Sequence, residues 1–319
     1  MGRCGSSPRR AKWNWSPNGR KSEVGVHCTS VQKVTGPPFA GPRAGEDEKG
    51  NLPLRTNIFR SKLKAMSEFD IRFCTREGFE VPAVTAEQMR EVDRIAVQET
   101  GPNLFQMMEN AGRNLAELAL ELLGPAWSKA RVLVLAGGGG NGGGGICAAR
   151  HLATRGVRVS LCLASPERLA EVTAFQRKIF GATQGEEIHL DELTEKSYDL
   201  ILDALIGYSL QSAPRGRALD LIAWANSARV PILSLDVPSG VDVSTGDTPG
   251  VAVRPTWTLT LALPKAGLRA ENCGQLYLAD IGIPAGTFAR AGIQYVSPFR
   301  EKFVVRLRIL EVKPERESR

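Results

Sequence analysis

The stretch Leu133–Leu152, LVLAGGGGNGGGGICAARHL, contains an apolar run, a glycine-rich segment and a helical pattern in direct succession. The apolar run 132–136 predicts a buried strand, and Ile146, Ala149 and Leu152 recur at helical spacing. Glycine lets backbone N–H groups approach an anion closely, and the N-terminus of the next helix adds a positive dipole end. A flexible linker is the alternative on composition, but both flanks are strongly patterned. We therefore predict a strand, loop and helix that hold a phosphate-bearing ligand.

Two observations argue against the usual nucleotide sites at this loop. The next predicted strand, 157–163, is followed by Ala164 and Ser165, so no acidic residue is placed to bind a ribose hydroxyl. The Gly-Lys-Ser/Thr of a nucleoside-triphosphate loop is also missing after the glycines. The loop predicts phosphate contact without identifying the ligand.

Charge and hydropathy narrow the class of protein. The 319-residue chain has a net charge of +7, but residues 1–65 alone carry 13 Lys/Arg against 4 Asp/Glu, which leaves −2 for residues 66–319. The basic charge thus belongs to the N-terminal segment, and we expect no nucleic-acid partner for the folded part. No apolar run approaches the ~18 residues of a membrane span, so no membrane partner is expected.

The six cysteines are scattered, without metal-ligand or disulfide spacing. Cys147 and Cys162 lie among apolar residues and are predicted to be core residues. We expect a reduced, cytoplasmic protein.

Residues 1–65 are rich in Gly, Pro, Ser and Arg and lack apolar periodicity, which is typical of a disordered tail. A transit peptide is one alternative, but prolines such as Pro8, Pro17, Pro37, Pro38 and Pro42 disfavour an amphipathic helix. The favoured hypothesis is an upstream translation artefact, with the natural protein beginning at Met66. The expected organisation is a tail over 1–65, one domain over 66–310 and a charged tail over 311–319.

The chain after residue 84 predicts an α/β fold. Thr85 and Gln88 form a capping-box pattern for a helix to about Glu99, and a second helix is predicted from Pro102 to Leu123. Strands and helices alternate from Val132 onward, which indicates a mainly parallel sheet covered on both faces. The predicted strands are 132–136, 157–163, 199–205, 231–236, 256–263 and 275–280, and later helices fall near 146–155, 166–180 and 215–228.

Polar residues follow three of these strands at the edge where functional loops are expected. Asp203 and Asp236 each close an apolar strand, and either one has an ordinary explanation as a cap of the following turn. Asn141, Asp203 and Ser239 offer amide, carboxylate and hydroxyl oxygens, which suit a hard cation.

Six ordered motifs carry a resemblance that covers about residues 84–300. The chain resembles the YjeF N-terminal domain family, the NAD(P)H-hydrate epimerases, which include the apolipoprotein A-I-binding protein. The motifs are TAEQMREVDRIAV (85–97), LFQMMENAGR (104–113), GGGGNGGGGICAARHL (137–152), DALIGYSL (203–210), DVPSGVDVSTG (236–246) and LALPKAGL (261–268).

The resemblance implies a Rossmann-like three-layer αβα sandwich and conversion of R-NAD(P)HX to S-NAD(P)HX, the hydrated forms of NADH and NADPH. It also implies a homodimer, a separate S-specific NAD(P)HX dehydratase as functional partner, and a potassium ion held by Asn141, Asp203 and Ser239. Because no dehydratase domain follows the matched region, we expect a stand-alone epimerase. The substrate positions that it implies are Gly140, Asn141, Gly142, Gly143, Gly144, Gly207, Tyr208, Ser209, Leu210, Gln211, Ser212, Ala213 and Asp236.

The chain departs from the family pattern at two positions of the glycine-rich loop. Gly140 and Gly144 stand where the family usually has Asn and Asp. A non-catalytic nucleotide-binding or scaffold member of the same fold, such as the domain of RNA-decapping scaffold proteins, is therefore the alternative.

Inversion at a carbinolamine carbon needs either loss and re-addition of water or ring opening. Both routes need a proton shuttle and a site for a cationic ring. Asp236 is the predicted general acid/base and counter-charge. Lys265 is predicted to contact phosphate or to position Asp236, with a surface lysine as the alternative reading. His151, within the predicted helix, is given no role.

Overall fold

A computed structural model describes residues 70–312. The predicted tail over 1–65, the hypothesis of a start at Met66 and the residues after Val312 lie outside the described residues. The strands are β1 (Asp70–Thr75), β2 (Glu80–Val81), β3 (Arg131–Ala136), β4 (Arg158–Leu163), β5 (Glu186–Ile188), β6 (Leu200–Ala204), β7 (Ile232–Leu235), β8 (Trp257–Leu261), β9 (Gln275–Ala279) and β10 (Val304–Val312). The α-helices are α1 (Ala86–Ile95), α2 (Leu104–Leu123), α3 (Gly140–Thr154), α4 (Glu171–Phe180), α5 (Arg217–Ser227), α6 (Ala270–Cys273) and α7 (Ala285–Arg290).

The strands form one ten-stranded sheet in the order β2-β1-β10-β9-β8-β7-β6-β3-β4-β5. The block from β9 to β5 is parallel, whereas β10, β1 and β2 add antiparallel strands at one side. This confirms the predicted α/β fold with a mainly parallel sheet. The strands β1, β2, β5 and β10 were not predicted, and β10 runs to Val312, beyond the predicted domain end at 310.

Alternate residues of β3 face two separate apolar clusters. Val132, Val134 and Ala136 pack in the cluster that contains α2 and α3, while Leu133 and Leu135 pack with α5. Because successive side chains of a strand point to opposite faces, this division shows helices on both sides of the sheet. The three-layer arrangement follows, and it buries β3 completely except for Arg131.

Capping side chains determine where the first two long helices begin. Thr85 caps α1 through the predicted capping box with Gln88. Asn103, rather than Pro102, caps α2, because its side chain accepts the backbone N–H of Gln106. The predicted first helix continues past Ile95 as a π-helix over Ala96–Thr100, and two 3₁₀ segments cover Gly124–Lys129 and Leu190–Glu195.

The helix after β3 begins at Gly140, so the predicted loop 137–145 is mostly helical. The reason is close packing. A Cβ added at Gly142 would lie 1.8 Å from the carbonyl oxygen of Gly137, and one at Gly145 would lie 2.4 Å from the Cβ of Ala204. A Cβ at Gly112 of α2 would likewise lie 2.3 Å from the Cβ of Cys147. The glycines therefore let α3 lie directly against α2 and β6.

Within residues 70–312, no helix combines the length and hydropathy that crossing a membrane requires.

We predict that Gly142→Ala destabilises the protein by about 1–3 kcal/mol or more, because its methyl group overlaps the backbone of Gly137. Gly140→Ala is the matched control in the same helical turn, since a Cβ there has no heavy atom within 4 Å. Its free energy of unfolding should stay within ~1 kcal/mol of the parent, or rise. Urea unfolding measures both values, and equal stabilities for the two variants would contradict this packing account.

Candidate active site

Three loops meet at the carboxyl edge of adjacent parallel strands. They follow β3, β6 and β7, which are neighbours in the sheet. The N–H of Gly137 donates to the carbonyl of Ala204 at 3.0 Å, which joins the first two loops. The N–H of Ile206 donates to Ser239 Oγ at 2.8 Å, which joins the second and third. The structure thus brings the predicted loops together in one crevice.

The N-terminus of α3 lies at the centre of this edge. Its N-cap residue, Gly139, carries no capping side chain, and the first turn contains Gly140, Asn141 and Gly142. The first N–H groups of an α-helix have no partner within the helix and carry the positive end of its dipole. This arrangement suits a phosphate group.

Asp203 organises the loops through four hydrogen bonds. Its carboxylate accepts Ser239 Oγ at 2.6 Å, Ser234 Oγ at 2.7 Å and the backbone N–H groups of Ser239 at 3.0 Å and Leu205 at 3.3 Å. The side chain is fully buried. Burial raises its pKa, although these hydrogen bonds favour the charged form. Asp203 therefore caps the turn that follows β6, which is the ordinary explanation that its sequence position suggested.

The residues predicted to hold potassium also fit a monovalent cation. All four donors to Asp203 are uncharged, so they satisfy its oxygens without neutralising its charge. Asn141 Nδ2 is buried without a hydrogen-bond partner. Because the two ends of an amide are assigned from their partners, a reversed amide would present its oxygen at that position. A buried charge normally has a counter-ion, and the oxygens of Asn141, Asp203 and Ser239 suit potassium rather than a soft metal.

Asp236 and Lys265 form an ion pair in the interior. Lys265 is only 1% exposed and Asp236 only 3%, so the surface-lysine alternative is wrong. Lys265 Nζ also donates to Leu261 O at 2.8 Å and to Thr260 Oγ1 at 3.4 Å. All three of its N–H groups therefore have partners inside the protein, an arrangement that positions Asp236 and leaves no free donor for phosphate.

The backbone around this pair has an uncommon conformation. Asp236 has φ 68° and Ala262 has φ 62°, both in the left-handed region. Such residues persist only where the surrounding structure holds them, and they cluster at functional sites. Here the N–H of Asp236 donates to Leu259 O at 2.8 Å, and Leu261 N donates back to Asp236 Oδ1 at 3.3 Å. In this conformation Asp236 Oδ1 accepts hydrogen bonds from both Leu261 N and Lys265 Nζ.

The loop 207–213 covers one side of the crevice. Gly207 is buried against Asn141, since a Cβ there would lie 3.1 Å from Asn141 Cγ. Ser209, Gln211 and Ser212 are exposed. Tyr208 is half-buried and donates its hydroxyl to Asp93 of α1.

Asp93 is the residue of this site that the sequence interpretation missed. Burial raises its pKa, the hydrogen bond from Tyr208 lowers it, and the charges of Lys265 and Asp236 also act on it. The segment before α1 joins this helix to the ion pair, because Val84 pairs with the backbone of Lys265. The signal was present in the sequence, since position 93 follows Met89 by four residues and precedes Ala96 by three, and both are buried. An acidic residue on the apolar face of a helix is unusual.

The two departures from the family loop have different surroundings. A Cβ at Gly144 would lie 2.8 Å from Leu235 Cδ2 and 3.8 Å from the Cβ of Ala111, so this position faces the core. A Cβ at Gly140 would meet no heavy atom within 4 Å. The missing Asp therefore corresponds to a packed position, and the missing Asn to open space.

His151, Cys147 and Cys162 are not among the residues that form the crevice. His151 pairs with Glu109, which also binds Arg150, and burial lowers the pKa of His151. Cys147 and Cys162 are buried, as predicted, and burial raises the pKa of Cys147 to about 12.

Comparisons with known proteins agree with this class of fold. The family described as "YjeF-related protein N-terminus" matches residues 104–267. The chain is 52% identical over 238 residues to the NAD(P)H-hydrate epimerase of Dehalogenimonas lykanthroporepellens, which covers 74% of this chain and 97% of that protein. It is 34% identical over 303 residues to the enhancer of mRNA-decapping protein 3 of Macaca fascicularis, over 89% of this chain and 56% of that protein.

The fold is also similar to a crystal structure of the yeast protein ynu0. The TM-score is 0.63 at 22% sequence identity, over 71% of this chain and 100% of the yeast chain. The chain therefore has the fold of this class of α/β domain. It belongs to the YjeF-related N-terminal family.

We predict that Lys265→Met lowers the free energy of unfolding by about 3–5 kcal/mol, because it leaves the buried carboxylate of Asp236 without its partner. Adding Asp236→Asn to that variant should restore part of the loss, since the unpaired charge is then removed. Lys196→Met is the control, because the Lys196–Glu186 pair lies at the surface and should contribute at most about 1 kcal/mol. Urea unfolding distinguishes these cases, and equal losses for the two lysine variants would contradict the burial argument.

Proposed function

We propose that this protein is an NAD(P)H-hydrate epimerase, an isomerase that converts R-NAD(P)HX to S-NAD(P)HX. The observation that carries the proposal is the buried Asp236–Lys265 pair beside the glycine-rich N-terminus of α3. The ion pair supplies a proton-transfer group, and the helix N-terminus supplies a phosphate site. The 52% identity to a curated epimerase over nearly that protein's whole length supports the same activity.

The substrate would lie across the carboxyl edge of the sheet. Its phosphates would meet the first N–H groups of α3, at Gly140, Asn141 and Gly142, because the N–H of Gly143 already donates to Gly139 O. The loop Gly207–Ala213 would close over the ring. Asp236 would face the hydrated ring, since it follows β7, next to the strand β6 from which the loop 207–213 departs.

The reaction inverts C6 of the hydrated ring, the carbon that carries the hydroxyl group and is bonded to N1. When the C6–O bond breaks, the electron pair of N1 forms an N1=C6 bond, and the ring becomes cationic. Re-addition of water to the other face completes the inversion without any oxidation or reduction. A carboxylate near the ring stabilises the cation and exchanges the required proton.

The proposal includes a potassium ion at Asn141, Asp203 and Ser239. The ion would supply positive charge beside the phosphate-binding helix and hold the loops after β3, β6 and β7 together. The uncharged donor set of Asp203 and the unpartnered amide of Asn141 support it.

The product would be consumed by a separate S-specific dehydratase. The homodimer and the cytoplasmic location stay predictions from the sequence.

The scaffold alternative is less well supported. Its main argument was the loss of Asn and Asp at Gly140 and Gly144. Because a Cβ at Gly144 would lie 2.8 Å from Leu235 Cδ2, an Asp fits at this position only if the side chain of Leu235 shifts.

Asp236→Asn tests the epimerase activity and the catalytic role of Asp236 together. The variant keeps the size of the side chain but loses its charge and its proton-accepting ability. We expect epimerisation to slow by about 10²–10⁴-fold, while nucleotide affinity stays within about tenfold. The assay follows loss of R-NADPHX in the presence of an S-specific dehydratase, with a no-protein control. A parent protein that does not exceed the control contradicts the proposed function, and equal losses of rate and affinity would make Asp236 a binding residue only.

Thermal unfolding tests the cation site without an activity assay. Potassium chloride should stabilise the parent relative to tetramethylammonium chloride at equal ionic strength, because only the folded state would bind the ion. Asp203→Asn and Asn141→Ala should each abolish that difference. Asp199→Asn is the control, since this exposed residue lies before β6 and bonds to Arg131 N at 2.8 Å. A potassium effect that survives both site variants would contradict the assignment.

A further inference from the structure

A second carboxyl group, that of Asp93, is hydrogen-bonded to the loop that follows β6. Asp93 lies on α1, and Asp236 follows β7, so the two carboxyl groups come from different layers of the fold. Their charges interact, and both interact with Lys265. Tyr208, from the loop after β6, donates its hydroxyl to Asp93 Oδ2 at 2.5 Å. Asp93 thus connects α1 with the loop after β6, and its charge interacts with those of Asp236 and Lys265.

We propose that Asp93 is a second catalytic residue of the epimerisation and that Tyr208 is its positioning residue. The proposal rests on the epimerase function given above. Inversion requires that a hydroxyl leaves one face of the ring and that water adds to the other. One carboxyl group cannot serve both faces at once, whereas two carboxyl groups carried by different elements can.

Two carboxyl groups account for every proton that the inversion at C6 moves. Protonated Asp93 donates its proton to the C6 hydroxyl, the C6–O bond breaks, and N1 forms a double bond to C6 as water leaves. Water then adds to C6 from the other face, and the carboxylate of Asp236 takes its proton as the N1=C6 bond returns to a single bond. Exchange with solvent returns a proton to Asp93 and removes one from Asp236. The reverse reaction uses the two groups in exchanged roles.

The environments of the two carboxyl groups favour this division of roles. Burial raises the pKa of Asp93, which favours its protonated form, while the hydrogen bond from Tyr208 and the charge of Lys265 act in the opposite direction. The charge of Asp236 raises it further. Asp236 in turn has the ammonium group of Lys265 as its direct counter-ion. Tyr208 stays a neutral donor, because burial and Asp93 raise its pKa, against the smaller effect of Arg90.

The sign of the pH dependence follows from these contacts. An acid must be protonated to act, so the R-to-S rate should fall as pH rises through the pKa of Asp93. The bond from Tyr208 stabilises the ionised form, so Tyr208→Phe should move this alkaline limb to higher pH. Asp93→Asn should remove the limb and lower kcat by about 10²-fold or more.

The experiment measures kcat, KM and the pH profile of R-to-S conversion for the parent, Asp93→Asn, Asp93→Glu, Tyr208→Phe and Glu87→Gln. Glu87 is the control, because it is an exposed acidic residue in the first turn of the same helix, and its variant should keep the parent profile. We expect Asp93→Asn to lose kcat with KM within about threefold and an unchanged melting temperature. Asp93→Glu should recover part of the rate.

The outcomes separate the two proposals. An inactive parent overturns the proposed function and this assignment with it. An active parent with Asp93→Asn at the parental rate and pH profile overturns only the role of Asp93. If kcat falls in proportion to a lost melting temperature, and Asp93→Glu restores neither, Asp93 is structural and the proposal is wrong.

Discussion

The buried contact between Asp236 and Lys265 connects the elements from which the crevice is built. Asp236 follows β7 in a left-handed conformation, and Lys265 lies just beyond β8 with all its N–H groups bonded inside the protein. The backbone of Lys265 pairs with Val84, which leads directly into α1. A buried charge pair is costly unless its geometry is held. The pair therefore constrains two strand ends and the helix that carries Asp93.

Close packing constrains the glycine-rich segment at the same edge of the sheet. The backbone of Gly137 and the Cβ of Ala204 leave no room for side chains on the facing side of α3. Glycine is a poor helix former, and here the contacts with α2 and β6 outweigh that weakness. The result is a helix N-terminus placed against the carboxyl edge of the sheet, with its first N–H groups open to an anion.

Much of the parallel sheet could be predicted from the sequence, because strands buried on both faces are continuous apolar runs. Each of the six predicted strands is present. The strand β10 was missed because Arg306, Arg308 and Glu311 interrupt its apolar residues. The start of α3 at Gly140 was missed because its cause is packing between distant segments. Asp93 was missed because one acidic residue in a helix resembles a solvated position until Tyr208 and Lys265 are placed beside it.

In the proposed mechanism, C6 is inverted by the loss and re-addition of water between the carboxyl groups of Asp93 and Asp236. Incubation of R-NADPHX with the protein in water enriched in ¹⁸O, followed by mass spectrometry of the S epimer, tests this most directly. The account predicts S-NADPHX that forms faster than in a no-protein control and carries one solvent oxygen at C6. An S epimer that keeps its original oxygen, or no acceleration over the control, would contradict it.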